Sequence, residues 1–222
     1  MNRTPAFEVT DPGVIARLVH DLPFAQVVTG DGAGGFVASS VPLLLDVPAD
    51  GAPWRLRGHL ARSNPQAGFG DTRVPALALF VGPHAYVSPS AYPSKAETGK
   101  VVPTWNYVEV HLHGTFRLTD DPAATLAAVT DLTDASEATR PEPWRVTDAP
   151  GDYVSKLARG IVAFEIVVER IEAKAKLSQN KSASDRRGVI DDLSGRPGGG
   201  AAVAGLMGSG EFDPPDPPGE AV

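Results

Sequence analysis

Three short stretches of this chain gather donors, cations and flat rings in patterns that chemistry can use. The first is Gly58-His59-Leu60-Ala61-Arg62-Ser63-Asn64-Pro65, where an alternating strand hands over to a short helix opened by Pro65, with Ser63 or Asn64 as its cap. A helix N-terminus presents unpaired N–H groups and positive partial charge, which suits a phosphate. Arg62, one turn earlier, could add a bidentate contact to the same anion. The other reading is a capped turn with Arg62 in solvent.

The second stretch runs Tyr86-Val87-Ser88-Pro89-Ser90-Ala91-Tyr92-Pro93-Ser94-Lys95, followed by Val102-Pro103-Thr104-Trp105-Asn106-Tyr107. Aromatic and proline-stiffened walls suit a flat ring system, and Lys95 could meet a phosphate or carboxylate. An aromatic corner of the core, or a subunit interface, fits the same residues. The third stretch is Lys174-Ala175-Lys176-Leu177-Ser178-Gln179-Asn180-Lys181. Packed donors at a strand end can close over an anion or a polar ring edge, whereas a solvated strand exit is the plainer account. Arg186 and Arg187 follow and could form a small basic patch, without interleaved aromatics to stack bases. Among the histidines, His111 and His113 share one face of a strand with no third ligand nearby, which points to structural or surface roles. His59 lies beside the first stretch and could coordinate a haem iron.

The elements that must hold these stretches follow from periodicity. Thr10-Asp11-Pro12 opens an amphipathic helix carrying Val14, Ile15, Leu18, Val19 and Leu22, closed by Pro23. Strands are expected over 24–29 and 36–45, joined by a glycine-rich turn. In 54–59, alternation sets Arg55, Arg57 and His59 on one face. The run 76–82 is near-continuously apolar and reads as a strand buried on both faces. From 108 to 118, Val108, Val110, Leu112, Phe116 and Leu118 face one way, and Glu109, His111, His113, Thr115 and Arg117 the other. Asp121-Pro122 caps a helix with Leu126, Val129 and Leu132, and 161–171 is a last long strand. Many short strands with few helices predict a mainly β chain with flanking helices, closed as a barrel.

Composition narrows the function classes. Cysteine is absent, which removes disulfides, thiolate metal sites, iron–sulfur clusters and a cysteine nucleophile. No apolar run is long enough to span a membrane, and the N-terminus lacks a secretory pattern, so the cytoplasm is the expected compartment. A net charge of −7 argues against direct contact with duplex DNA, and no helix-turn-helix is visible. Neither a phosphate-binding Gly-Lys-Ser/Thr loop nor a Gly-x-Ser-x-Gly elbow is present. Residues 1–193 read as one cofactor-binding domain. Residues 194–222 read as a Gly/Pro-rich, mostly flexible tail, with a short helix over 201–207.

Taken in order, these stretches resemble the PaiB family, often labelled FMN-binding negative transcriptional regulators. The matching residues include Pro23-Phe24, Val41-Pro42-Leu43-Leu44-Leu45, the Gly58 to Pro65 stretch and Phe80-Val81-Gly82-Pro83. Ala85-Tyr86-Val87-Ser88-Pro89, Val102-Pro103-Thr104-Trp105-Asn106-Tyr107 and Lys176-Leu177-Ser178-Gln179-Asn180 complete the set. The resemblance implies an FMN-binding split β-barrel like that of the pyridoxamine phosphate oxidase group, paired as a homodimer with FMN between subunits. It assigns cofactor contacts to His59, Arg62, Asn64, Lys95, Thr104, Trp105, Lys176 and Gln179, with Arg62 and Lys95 on the phosphate. Ser40 stands where the family commonly has histidine, and Ala91 and Ala175 stand where it has tryptophan.

A branch similar to PaiB proteins, the piperazate synthases, binds haem on the same scaffold through a histidine that maps to His59. The chain is therefore expected to bind FMN, as a negative regulator or redox sensor. The alternative is a haem-dependent enzyme forming an N–N bond on a small amine, with haem b held by His59. Any catalysis would be that of a flavin- or haem-dependent oxidoreductase or cyclase, and no residue is singled out as catalytic.

Overall fold

Alternation along the chain decides which side of each strand is buried, and the computed structural model shows where those strands lie. It describes residues 1–2, 4–69 and 72–213. After a single 3-10 turn at Pro5–Phe7, α1 spans Pro12–Asp21, followed by β1 (Phe24–Gly30), β2 (Phe36–Pro42), β3 (Leu44–Asp46) and β4 (Arg55–Ala61). A 3-10 turn at Pro65–Phe69 leads to β5 (Val74–Val87), α2 (Ser94–Thr98), β6 (Thr104–Thr119), α3 (Pro122–Glu137) and α4 (Gly151–Ala158). The long β7 (Ile161–Lys176), α5 (Ala183–Ser194) and α6 (Gly199–Gly208) complete the order. The strands form one seven-stranded sheet in the order β2-β1-β5-β6-β7-β4-β3. The β1–β2, β1–β5, β3–β4 and β4–β7 pairs are antiparallel.

The chain divides into two compact units. One comprises Met1–Ile15, Val81–Val110 and Glu172–Val222; the other comprises Ala16–Phe80 and His111–Ile171. In the second unit, Phe116 stacks on Phe164 at 4.9 Å and meets the edge of Phe69 at 6.2 Å. Leu56, Leu112 and Ile166 are fully buried around them. Gly58 is needed for this packing: a Cβ there would lie 2.9 Å from both Leu43 Cδ2 and Phe164 Cζ. On the other face of β4 stand Arg55, Arg57 and His59, as alternation requires. Arg57 grips Asp46 through Nε (2.5 Å) and Nη2 (3.0 Å) and reaches Asp131 through Nη1 (2.6 Å). Arg55 and Arg117 both bond Glu165.

Gln66, in the turn after β4, is completely buried. Its Nε2 donates to Val27 O (3.2 Å), Thr29 Oγ1 (3.0 Å) and Val37 O (3.5 Å), tying that turn to β1 and β2. Asn64 Oδ1 accepts from Gln66 N, and Asn64 Nδ2 donates to Ser39 Oγ at 2.8 Å. The strand β2, at one end of the sheet order, is thereby joined to the segment that leaves β4.

In the first unit, α5 packs on α6, and the buried Val189, Leu193, Val203 and Met207 form their contact with Val87, Val108 and Leu177 in the same unit's core. Asn106 is fully buried and donates to Ser178 Oγ (3.0 Å) and Met207 Sδ (3.4 Å). Gly199 sits where a side chain would strike the His84 carbonyl, so glycine here permits close packing.

Several expectations change. The run 76–82 is not buried on both faces: Leu77 and Leu79 are half-buried and Val81 is 58% exposed, because β5 turns one face outward. The buried stripe of α3 is Thr125, Ala128 and Leu132, with Leu126 exposed. Small residues on that stripe let the helix approach closely enough for Thr125 Oγ1 to accept from Ala163 N at 3.3 Å. Beyond the expected boundary at 193, α6 is a packed helix matching the short helix foreseen at 201–207. The Pro214 to Pro218 end of the tail lies outside the described residues.

Replacing Gln66 by leucine should lower unfolding stability by about 1–3 kcal/mol, since several strand acceptors lose their buried partner. Urea denaturation measures this; an unchanged midpoint would show that the amide does not hold the edge.

Candidate functional site

The first unit gathers Thr104, Trp105 and Lys176 at the start of β6 and the end of β7. Lys176 Nζ donates to Thr104 Oγ1 at 2.5 Å and to Trp105 O at 2.6 Å, using two of the ammonium's three donors. Burial, then repulsion from Lys174 and Lys181, holds its pKa below the usual lysine value. Trp105 turns its indole outward and is 52% exposed. His84 and Tyr86 on β5 lie beside it, with ring centroids 6.2 and 5.9 Å away. Strand alternation after Pro83 is the signal that turns His84 outward, and no motif in the sequence marks it.

Gln179 belongs to the same unit but faces inward on its own turn. Its Oε1 accepts from Leu177 N at 2.7 Å, and its Nε2 donates to Ala175 O (2.6 Å) and Phe212 O (3.2 Å). These bonds brace a turn in which Ser178 adopts φ 62°, a left-handed conformation that few side chains tolerate. Lys95 is exposed and donates to Ser90 Oγ at 3.0 Å. Of the aromatic stretch, Tyr92 is buried, and Tyr107 has Lys174 Nζ over its ring at 5.4 Å. Arg186 is committed to Asp213 and Met207 O, so it contributes no open basic patch.

The two missing tryptophans have different outcomes. Ala91 is buried, and its carbonyl is approached so closely by Gly188 of α5 that no Cβ would fit there. Ala175 lines a cavity of about 220 Å³ with Phe7, Gln179 and Phe212.

In the second unit, Arg62 Nη2 pairs with Asp120 Oδ1 at 2.7 Å, and its backbone N–H bonds Gly160 O. Asn64 uses its amide on Ser39 and Gln66. His59 is half-buried and its Nδ1 has no hydrogen-bond partner among the described residues. Desolvation lowers its pKa and favours the neutral imidazole. The rings of His111 and His113 stand 6.4 Å apart on one face of β6. A cleft of about 550 Å³ beside α3 and α4, lined by Leu126, Asp134, Arg145 and Val154 among others, contains none of the predicted residues.

An antiparallel sheet of this order, flanked by helices, is that of a split-barrel protein. The chain belongs to the PaiB family: the family model described as "Putative FMN-binding domain" matches residues 1–170. The "Protease synthase and sporulation protein PAI 2" of Bacillus subtilis is 33% identical over 187 residues, covering 84% of this chain and 86% of that protein. An uncharacterised protein of Aspergillus fumigatus is 36% identical over 224 residues, covering 80% and 85% respectively. Among solved structures, the "FAD and Heme binding protein" of Mycobacterium smegmatis matches with a TM-score of 0.56 at 17% identity, over 81% of this chain and 78% of that one. The flavocytochrome Anf3 of Azotobacter vinelandii matches at 0.50 and 12% identity, over 76% and 68%. These likenesses establish the fold. No described helix is long and apolar enough to cross a membrane.

His59 gives this site a pH signature. Its folded pKa lies below the ordinary 6.5, so the unfolded chain binds the extra proton first as pH falls. The stability tied to neutral His59 is present above 6.5 and is lost as pH drops through the folded pKa. His59→Gln should therefore show a smaller fall in urea midpoint between about pH 7.5 and 5.5 than the unaltered chain. Equal falls would refute the desolvated-histidine assignment.

Proposed function

We propose that this protein binds FMN, with the Thr104–Trp105–Lys176 cluster against the flavin ring or ribityl chain. The observation that carries this reading is the Lys176 ammonium, fixed on Thr104 Oγ1 and on the backbone carbonyl of Trp105, a residue whose side chain is half open to solvent. A partly buried cation with a donor to spare suits the carbonyl edge of a flavin or a nearby anion. The family match to an FMN-binding domain supports the same group. A bound flavin would supply one- and two-electron transfer at its ring. The protein's own part is to fix the lysine ammonium on Thr104 Oγ1 and the Trp105 carbonyl, keep Trp105 outward and brace the turn through Ser178 and Gln179.

Family resemblance assigns the phosphate to Arg62 and Lys95. Each now holds an exposed partner, Asp120 or Ser90. An exposed ion pair contributes only about 0–1 kcal/mol, so a phosphate can displace it readily. A homodimer with the cofactor at its interface follows from the same resemblance, and the exposed Val81, Tyr86, Val102 and Trp105 support a covered face. We infer that any regulatory role works through the flavin rather than by direct DNA contact, in keeping with the net charge of −7.

Haem is the second reading, carried by the neutral His59 imidazole, the form that ligates iron. It ranks lower because metal-bound histidines normally donate their other nitrogen to an acceptor, and Nδ1 of His59 has none among the described residues.

Absorption spectra of purified and FMN-reconstituted protein separate the readings. Flavin bands are expected, with Lys176→Gln weakening FMN binding about tenfold, as loss of a charged hydrogen bond implies. A haem Soret band that His59→Ala abolishes, with no flavin uptake, would overturn the flavin reading.

A further inference from the structure

We propose that His84, Tyr86 and Trp105 form a shelf on which the flavin ring stacks, flat against the indole, with His84 and Tyr86 as its wall. This inference rests on the flavin reading above and adds two residues to it. β5 and β6 are neighbours in the sheet, and alternation turns His84 and Tyr86 of one, and Trp105 of the other, to the same outward side. Tyr86 meets the indole at an interplanar angle of 66° and His84 at 43°. Neither lies parallel on it, and Trp105 keeps 52% of its surface exposed. Val81 and Val102, in the same unit, are 58% and 71% exposed. Apolar exposure of this extent marks a binding surface more often than a bare one.

The shelf is also held still. The carbonyl of Trp105 accepts from Lys176 Nζ (2.6 Å), and the carbonyl of Tyr86 accepts from Arg196 Nη1 (3.2 Å), so a cationic side chain anchors each strand at its aromatic residue. Arg196 is itself oriented by Asp192 at 2.6 Å. Preorganised rings lose little freedom when a planar ligand arrives. Charge selects the occupant. Lys176 Nζ lies on the backbone carbonyl of Trp105, Lys174 over the Tyr107 ring and Lys181 over the Tyr92 ring, so positive charge in this unit favours a ligand with an anionic tail.

The test is FMN titration followed by flavin fluorescence, with riboflavin in parallel and sedimentation of every variant. Stacking on Trp105 should quench the bound flavin. Trp105→Ala should raise Kd about tenfold or more and relieve the quenching, Trp105→Phe should keep most of the affinity, and Tyr86→Ala and His84→Ala should each weaken binding several-fold, all about as expected for lost aromatic stacking. Unchanged melting temperatures exclude a folding defect as the cause. If FMN binds tightly but unquenched, and these variants leave Kd unchanged, the shelf is refuted while the flavin reading stands. If the variants instead abolish self-association at unaltered FMN affinity, the face belongs to a second copy and the proposal falls. Failure of the unaltered chain to bind either flavin overturns both readings.

Discussion

The site depends on one ammonium bridging two strand ends. Lys176 Nζ is shared between Thr104 Oγ1 and Trp105 O, which closes the last residue of β7 onto the first residues of β6. Partial burial makes the charge more costly to keep and the two acceptors more valuable to it. The residues that follow it have little freedom. Ser178 must adopt a left-handed backbone, held by its hydroxyl contact with the buried Asn106, while Gln179 folds back onto Leu177, Ala175 and Phe212. Loss of the ammonium would remove one of the contacts on the Trp105 carbonyl.

Polar residues in the family-like stretches divide into a frame and a working surface. Asn64, Gln66, Asn106 and Gln179 bond inward and shape turns. Lys176 is half-buried, and Trp105, Tyr86 and His84 are among the groups facing outward in the first unit. In the second, Arg57 is locked between Asp46 and Asp131, and Arg55 and Arg117 share Glu165. His59 stands on that same charged face as a neutral ring. That division explains how one scaffold can keep its fold while the outward groups vary, a pattern general to folds that host several functions.

Much of this was legible in the sequence, because strand alternation is a strong signal. The inward set Val108, Val110, Leu112 and Phe116 is fully buried, and the shared face of Arg55, Arg57 and His59 is as expected. Side-chain direction at turns was not legible. Asn64 and Gln179 look like ligands in a string of donors, and only the backbone path shows that their amides are already used. The helix α5 has no clear periodicity in the sequence because Asp185, Arg186, Arg187 and Gly188 blur its apolar stripe of Val189 and Leu193. Glycine misled in α6 for a related reason: Gly199 reads as flexibility in sequence but provides close packing against His84. The Lys176 clamp joins residues some seventy positions apart, and no local pattern announces it.

Direct observation of the Trp105 indole gives the clearest test. The chain has three tryptophans, at 54, 105 and 144, so its indole N–H signals can be assigned by single phenylalanine substitutions. In a nitrogen-15 NMR titration with FMN, the Trp105 signal should move and saturate while those of Trp54 and Trp144 stay in place. FMN binding that leaves the Trp105 signal unmoved would contradict the account.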